Sequence, residues 1–128
     1  MLSRSITQIY DHHLRPLKVR FSQMNILMLI TAAGPISAAE IGSALSLEKS
    51  TLSRNLKVME NQGWIKRQPG VSGLRNHYQS TASGKRLVCQ AEPLWRLAQD
   101  EVEELLGSRV SEAIHQAFNR IQQSVSSD

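Results

Sequence analysis

Cysteine, aromatic residues and long apolar runs are all scarce in this chain of 128 residues. Its single cysteine, Cys89, excludes an internal disulfide framework and any metal site built from several cysteines. The best apolar run, from Ile26 to Ile30, is far too short to cross a bilayer, and no N-terminal segment has the apolar stretch of a signal peptide. We therefore expect one cytoplasmic domain without a membrane partner.

Motifs of catalysis are missing as well. The sequence contains no nucleophile elbow, phosphate-binding loop or carboxylate constellation. Its four histidines are scattered, and only the adjacent pair His12 and His13 comes near a zinc-ligand spacing. We therefore predict a protein without enzyme activity, catalytic residues, metal or cofactor, and leave open whether this histidine pair has a sensing role.

Positive charge is concentrated in one part of the chain. Residues 1–86 contain twelve Lys and Arg against four Asp and Glu, whereas residues 87–128 contain three against seven. Within residues 49–86 the count is eight against one. Such a local concentration of cations is typical of a surface that binds a polyanion, and nucleic acid is the first candidate.

Two short helices are predicted just before and within this basic segment. Ser37 and Glu40 have the spacing of a capping box, in which Ser37 accepts from the amide three residues on and Glu40 reaches back to the Ser37 amide. The first helix should therefore begin at Ser37 and break near residues 45–47. Ser46 can then cap a second helix with Glu48 in its first turn.

The second of these helices has two contrasting faces. Leu52, Leu56 and Met59 recur at helical spacing and form an apolar face. The opposite face is polar and cationic, with Ser50, Arg54, Lys57 and Asn61, and Lys49 stands at the N-terminal end. These groups suit base edges and phosphates in a major groove, although an ordinary solvated helix face has a similar composition.

A basic hairpin is predicted directly after this helix. Gly63 is placed to end the helix in a left-handed conformation, and residues 64–67 form a strand candidate. Residues 68–73, with one Pro and two Gly, predict a turn before a return strand over residues 74–79. The arms offer cations to the DNA backbone or the minor groove through Lys66, Arg67 and Arg75.

These segments together resemble the DNA-binding domain of the multiple-antibiotic-resistance regulator (MarR) family. Residues 37–42 are similar to its first helix, residues 48–54 to the start of its recognition helix, residues 59–65 to the approach to the wing, and residues 81–84 to the cap of the next helix. We therefore predict a mainly α protein with a small β-wing, a winged helix-turn-helix over residues 22–84. Its predicted DNA-contacting residues are Lys49, Ser50, Thr51, Ser53, Arg54, Lys57, Arg67 and Arg75.

Apolar stripes near both ends of the chain predict association. One stripe lies on an N-terminal helix, at Ile6, Ile9, Tyr10, His13, Leu14 and Leu17. A second stripe follows a long helix that is predicted over residues 82–106, with a bend at Pro93. A third stripe lies on a last helix, at Val110, Ala113, Ile114, Ala117, Phe118 and Ile121. A core of about fifty residues cannot cover them all, so the pattern favours a homodimer, with packing within the chain as the alternative. The resemblance implies a dimer through the terminal helices, and we therefore predict a homodimer through residues 1–17 and 85–125.

The resemblance also implies a mode of regulation. MarR-like proteins are commonly repressors that release double-stranded DNA when a small aromatic effector binds between the dimer helices and the winged domain, or when a cysteine is oxidised. A lone helical cysteine such as Cys89 is more often a small buried apolar residue than a sensor. The alternative function is a winged-helix protein-interaction module of a larger assembly, which would tend to show an apolar anchor on the outer helix face.

Overall fold

The computed structural model describes residues 2–69 and 76–126 of the chain. Helices dominate it, and three short strands form a small antiparallel sheet. In chain order the elements are α1 (Leu2–Leu14), a 3-10 turn (Arg15–Leu17), α2 (Phe21–Ala33), β1 (Ile36–Ser37), α3 (Ala38–Leu45), α4 (Lys49–Asn61), β2 (Ile65–Pro69), β3 (Asn76–Ser80) and α5 (Ala82–Ser126). The predicted fold class, mainly α with a small β-wing, is confirmed.

The capping box at the start of α3 is present with one change in its geometry. The Ser37 hydroxyl accepts from the Glu40 amide at 3.2 Å, as predicted. The Glu40 carboxylate, however, accepts from the Ser37 hydroxyl at 2.9 Å, whereas the sequence predicts a bond to the Ser37 amide. The cap still fixes the first turn of α3, because the serine side chain satisfies an amide that has no partner within the helix.

The predicted cap of α4 was wrong. Ser46 is the left-handed C-cap of α3, at φ 54° and ψ 47°, so it closes the first helix. Glu48 is the N-cap residue of α4 in an extended conformation, and its side chain makes no capping hydrogen bond. At the other end of α4, Gly63 has a φ of 79°, as the sequence predicts.

The sheet contains one strand that the sequence pattern did not predict. The strand order is β1-β3-β2, so β3 lies in the middle and β2 forms an edge. Ile36 in β1 pairs with Tyr78 in β3, and Arg67 in β2 pairs with the other side of Tyr78. The predicted hairpin is therefore confirmed as β2 and β3, and the predictions for residues 70–75, including Arg75, lie outside the described residues.

Two buried clusters support these elements. The larger lies beneath α2, α3, α4 and the sheet, and its fully buried members include Met24, Ile26, Leu27, Ile30, Ile41 and Met59. The smaller joins α1 to α5 through Tyr10, Ala98 and Val102. Tyr10 lies 4.5 Å from Trp95 between ring centroids, and burial raises the pKa of Tyr10. Helix α4 is thereby held on the larger core, and α5 leads away from it.

A single helix of 45 residues, α5, replaces the two helices predicted near the C-terminus. At 1.5 Å per residue it is about 68 Å long, and it continues through Pro93. Its first half packs on the chain, with Leu87, Ala91, Ala98 and Val102 buried. Cys89, which we expected to be buried, is exposed.

The second half of α5 exposes its apolar stripe in the isolated chain. Ile114 is 65% exposed and Phe118 57%, and Val110 and Ile121 are similarly exposed. Intrachain packing thus buries or half-buries the stripe predicted on residues 87–105 but leaves the last one open. None of the described helices is long and apolar enough to span a membrane.

Candidate nucleic-acid interface

The outer face of α4 is exposed and polar, as the sequence predicts. Leu52, Leu56 and Met59 are buried against the core, which turns the opposite side of the helix outward. Of the predicted contact residues in α4, Lys49, Ser50, Ser53, Arg54 and Lys57 are exposed, and Thr51 is half-buried.

The two central cations of this face are available for a ligand. Within residues 2–69 and 76–126, neither the Arg54 side chain nor the Lys57 side chain forms a hydrogen bond or an ion pair. A guanidinium without a protein partner can donate a bidentate pair to a guanine edge, and an ammonium can donate to phosphate oxygens. The arrangement can therefore supply both base contacts and backbone contacts.

Arg67, in contrast, is already engaged. Its Nε donates to both carboxylate oxygens of Glu60, at 3.0 Å each. This hydrogen bond raises the pKa of Arg67. The sequence places Arg67 among the DNA contacts and gives no sign of its partner on α4, seven residues earlier.

The corner between α4 and β2 is fixed by hydrogen bonds from the start of α5. The Thr81 hydroxyl donates to the Gly63 carbonyl at 2.6 Å and accepts from the Gly84 amide at 3.0 Å. The Thr81 amide donates to the Trp64 carbonyl at 3.0 Å. The predicted cap over residues 81–84 is thus confirmed, and it joins the long helix to the base of the wing.

A groove of about 790 Å³ runs beside α4. Its walls are formed by α3, α4 and the two strands of the wing, and they include Gly42, Leu52, Lys57, Glu60 and Arg67. This volume lies in the range of small-molecule sites. No sequence signal indicates the groove, because its walls come from four elements.

Comparison with known proteins identifies a family. A model described as MarR family matches residues 17–75. The HTH-type transcriptional regulator YwoH of Bacillus subtilis is 32% identical over 68 residues, which are 53% of this chain and 50% of that protein. The multiple antibiotic resistance protein MarR of Escherichia coli is 24% identical over 90 residues, 70% of this chain and 62% of that protein. The aligned region thus spans half to six tenths of these curated relatives.

Solved structures share the architecture along most of the chain. The M. tuberculosis transcriptional regulator MosR, crystallised in complex with DNA, is 31% identical with a TM-score of 0.74, covering 90% of this chain and 86% of that one. A variant of E. coli MarR complexed with operator DNA has a TM-score of 0.78 at 20% identity, covering 94% and 88%. The second match supports the winged-helix fold alone.

Proposed function

The chain belongs to the MarR family of transcriptional regulators, and from this premise we propose that it binds a pseudo-palindromic operator as a homodimer. In this proposal the outer face of α4 enters the major groove and the wing lies on the neighbouring backbone. No catalysis is proposed, since regulators of this fold act by occupying DNA.

The observation that carries the proposal is the pair of unpartnered cations on the exposed face of α4. Arg54 and Lys57 point away from a buried apolar face within a segment that has eight cations and one anion. The DNA complex of MosR supports the same role for this fold. An interaction module would instead need an apolar anchor on this face. Among the large apolar residues of α4, Leu52, Leu56 and Met59 are buried and only Val58 is exposed, at 41%.

Arg54 is expected to read a base. We predict that Arg54→Ala weakens operator binding by about 1–3 kcal/mol and relaxes the preference at one base position per half-site. Lys57→Ala should weaken operator and non-operator DNA to a similar degree, because a phosphate contact carries no sequence information. Gel shifts at fixed salt on the DNA flanking the coding region, with Arg96→Ala on α5 as the control, measure both effects. Equal operator affinity of wild type and Arg54→Ala would contradict this assignment.

Arg75 is expected to neutralise one phosphate. This proposal rests on the sequence, since Arg75 lies outside the described residues. We predict that Arg75→Ala lowers the magnitude of the slope of log K against log salt by about one and changes base preference less than Arg54→Ala. A salt titration of operator affinity measures the slope, and an unchanged slope would exclude a phosphate contact from Arg75.

The open stripe on α5 supports the homodimer. About twenty residues at the end of a helix are only marginally helical in water without packing, and the large apolar side chains described in this segment, Val110, Ile114, Phe118 and Ile121, are more than half exposed in the isolated chain. Its apolar side chains recur every three or four residues, which is the pattern that a partner helix covers. A second copy presents the same stripe and also gives the two-fold symmetry that a palindromic operator requires.

Control by a small aromatic effector is the remaining part of the proposed function. The groove beside α4 supports it with apolar walls and the exposed cations Lys49 and Lys57, which suit an aromatic carboxylate. This place differs from the position between dimer helices and winged domain that the resemblance implies. Titration of an aromatic carboxylate into the protein–operator complex tests whether a ligand releases DNA, as the repressor proposal requires.

A further inference from the structure

We propose that Glu60 and Arg67 form a brace that holds the first strand of the wing on the recognition helix. Arg67 then acts as a positioning residue for operator recognition and does not contact phosphate. This inference rests on the proposed function, since it assigns a role to residues of the same DNA-binding surface. It changes the assignment of Arg67, which the sequence places among the DNA contacts.

The geometry of the pair favours a fixed contact. One Nε–H group of Arg67 lies at 3.0 Å from each oxygen of the Glu60 carboxylate. The Glu60 side chain is only 25% exposed, whereas that of Arg67 is 53% exposed. The carboxylate is therefore partly shielded from water, which strengthens its attraction for the guanidinium relative to a fully solvated pair.

The position of β2 explains why a brace matters. Strand β2 is an edge strand, because β3 pairs with it on one side only and β1 pairs with the far side of β3. Only three residues, 62–64, separate α4 from β2. The Glu60–Arg67 contact joins the last turn of α4 to the middle of β2, so it fixes the angle between the helix and the wing.

The negative charge of Glu60 lets the direction of a change in DNA affinity distinguish a brace from a simple charge effect. Residues 49–86 contain eight Lys and Arg, and Glu60 is the one acidic residue in that range. By charge alone, its removal should tighten binding to every DNA, since a carboxylate repels phosphates. A brace predicts the opposite for the operator, because loss of the contact releases the wing from its position.

The experiment compares Glu60→Gln, Arg67→Gln and the double variant with wild type. We expect each single variant to weaken operator binding about three- to tenfold, and the double variant to be no weaker than either one. Non-operator binding should be unchanged or tighter in Glu60→Gln and should not be tighter in Arg67→Gln, which removes a cation. The salt slope should stay the same in Arg67→Gln. Lys66→Gln is the matched control: Lys66 is the exposed neighbour of Arg67 in β2, and its loss should weaken both DNAs alike.

A measurement without DNA separates this inference from the proposed function. Amide hydrogen exchange in β2 should become faster in Glu60→Gln and Arg67→Gln, to the same extent, and should stay at the wild-type rate in Lys66→Gln. Unchanged exchange in β2 would overturn the brace, whatever the DNA results. Operator binding by Glu60→Gln at or above the wild-type affinity, or a salt slope lowered by about one in Arg67→Gln, would also overturn it. A wild type without operator selectivity, but with the expected exchange pattern, would instead contradict the proposed function.

Discussion

Replacing Ile114 and Phe118 together with glutamate is expected to produce a monomer whose operator affinity is lower by about a hundredfold or more. Both side chains are more than half exposed in the isolated chain, and both lie on the stripe that we assign to the second copy. Four carboxylates in the proposed interface would have to be desolvated without partners, which opposes association. Each chain would then bind a single half-site, and the affinity that a dimer gains by contacting both half-sites at once would be lost.

The matched control for this prediction places the same charges on the other side of the helix. Gln116 and Gln123 are exposed residues of α5, and about half a helical turn separates each from the stripe. Gln116→Glu with Gln123→Glu adds the same charge as the test variant and should leave the dimer intact. Light scattering at micromolar concentration gives the oligomeric state, and gel shifts give the affinity. A wild type that is a stable monomer with full operator affinity would contradict the homodimer and the symmetric operator together.

Gly84→Ala is expected to destabilise the fold by about 2–3 kcal/mol, because an added methyl group would overlap the backbone at the base of the wing. A Cβ atom at Gly84 would lie 2.1 Å from the carbonyl oxygen of Trp64 and 3.0 Å from its carbonyl carbon. A backbone atom cannot move aside as a flexible side chain does. The first turn of α5 would therefore have to move away from Trp64, and the hydrogen bond from the Thr81 amide to the Trp64 carbonyl would be weakened.

Gly42→Ala is the control for this substitution. Gly42 also lies in a helix, but a Cβ atom there would meet its nearest neighbours at 3.5 Å, an ordinary contact distance. Alanine is the better helix former by about 0.5–1 kcal/mol, so Gly42→Ala should leave the stability unchanged or raise it. Urea unfolding of both variants and wild type measures the difference. Equal stability of Gly84→Ala and wild type would show that α5 does not approach Trp64 so closely.

Local chemistry explains which features the sequence predicted. The buried face of α4, the serine cap of α3 and the left-handed Gly63 each depend on residues within about one helical turn. The pattern Leu52, Leu56, Met59 identifies the outer face without any knowledge of the core. For this reason Arg54 and Lys57 could be placed on the exposed side of α4 from the sequence alone.

Ser46 shows where local reasoning reached its limit. The sequence predicts Ser46 as the cap of α4, directly after the break between the two helices. In the structure it adopts a left-handed conformation and closes α3, while α4 begins at Lys49. Both roles satisfy free backbone groups, so the choice depends on how the two helices pack together.

The sequence by itself determined the type of α3, α4, β2 and β3 and the sign of the charge on the outer face of α4, since helical period, caps and glycine conformation are properties of neighbouring residues. The tertiary structure decided the pairing of Ile36 with Tyr78, the engagement of Arg67 by Glu60, the groove beside α4 and the exposure of Cys89. It also decided which part of α5 is covered by its own chain. These features join residues that are far apart in sequence or on different elements, and their geometry exists only after the elements have packed on a common core.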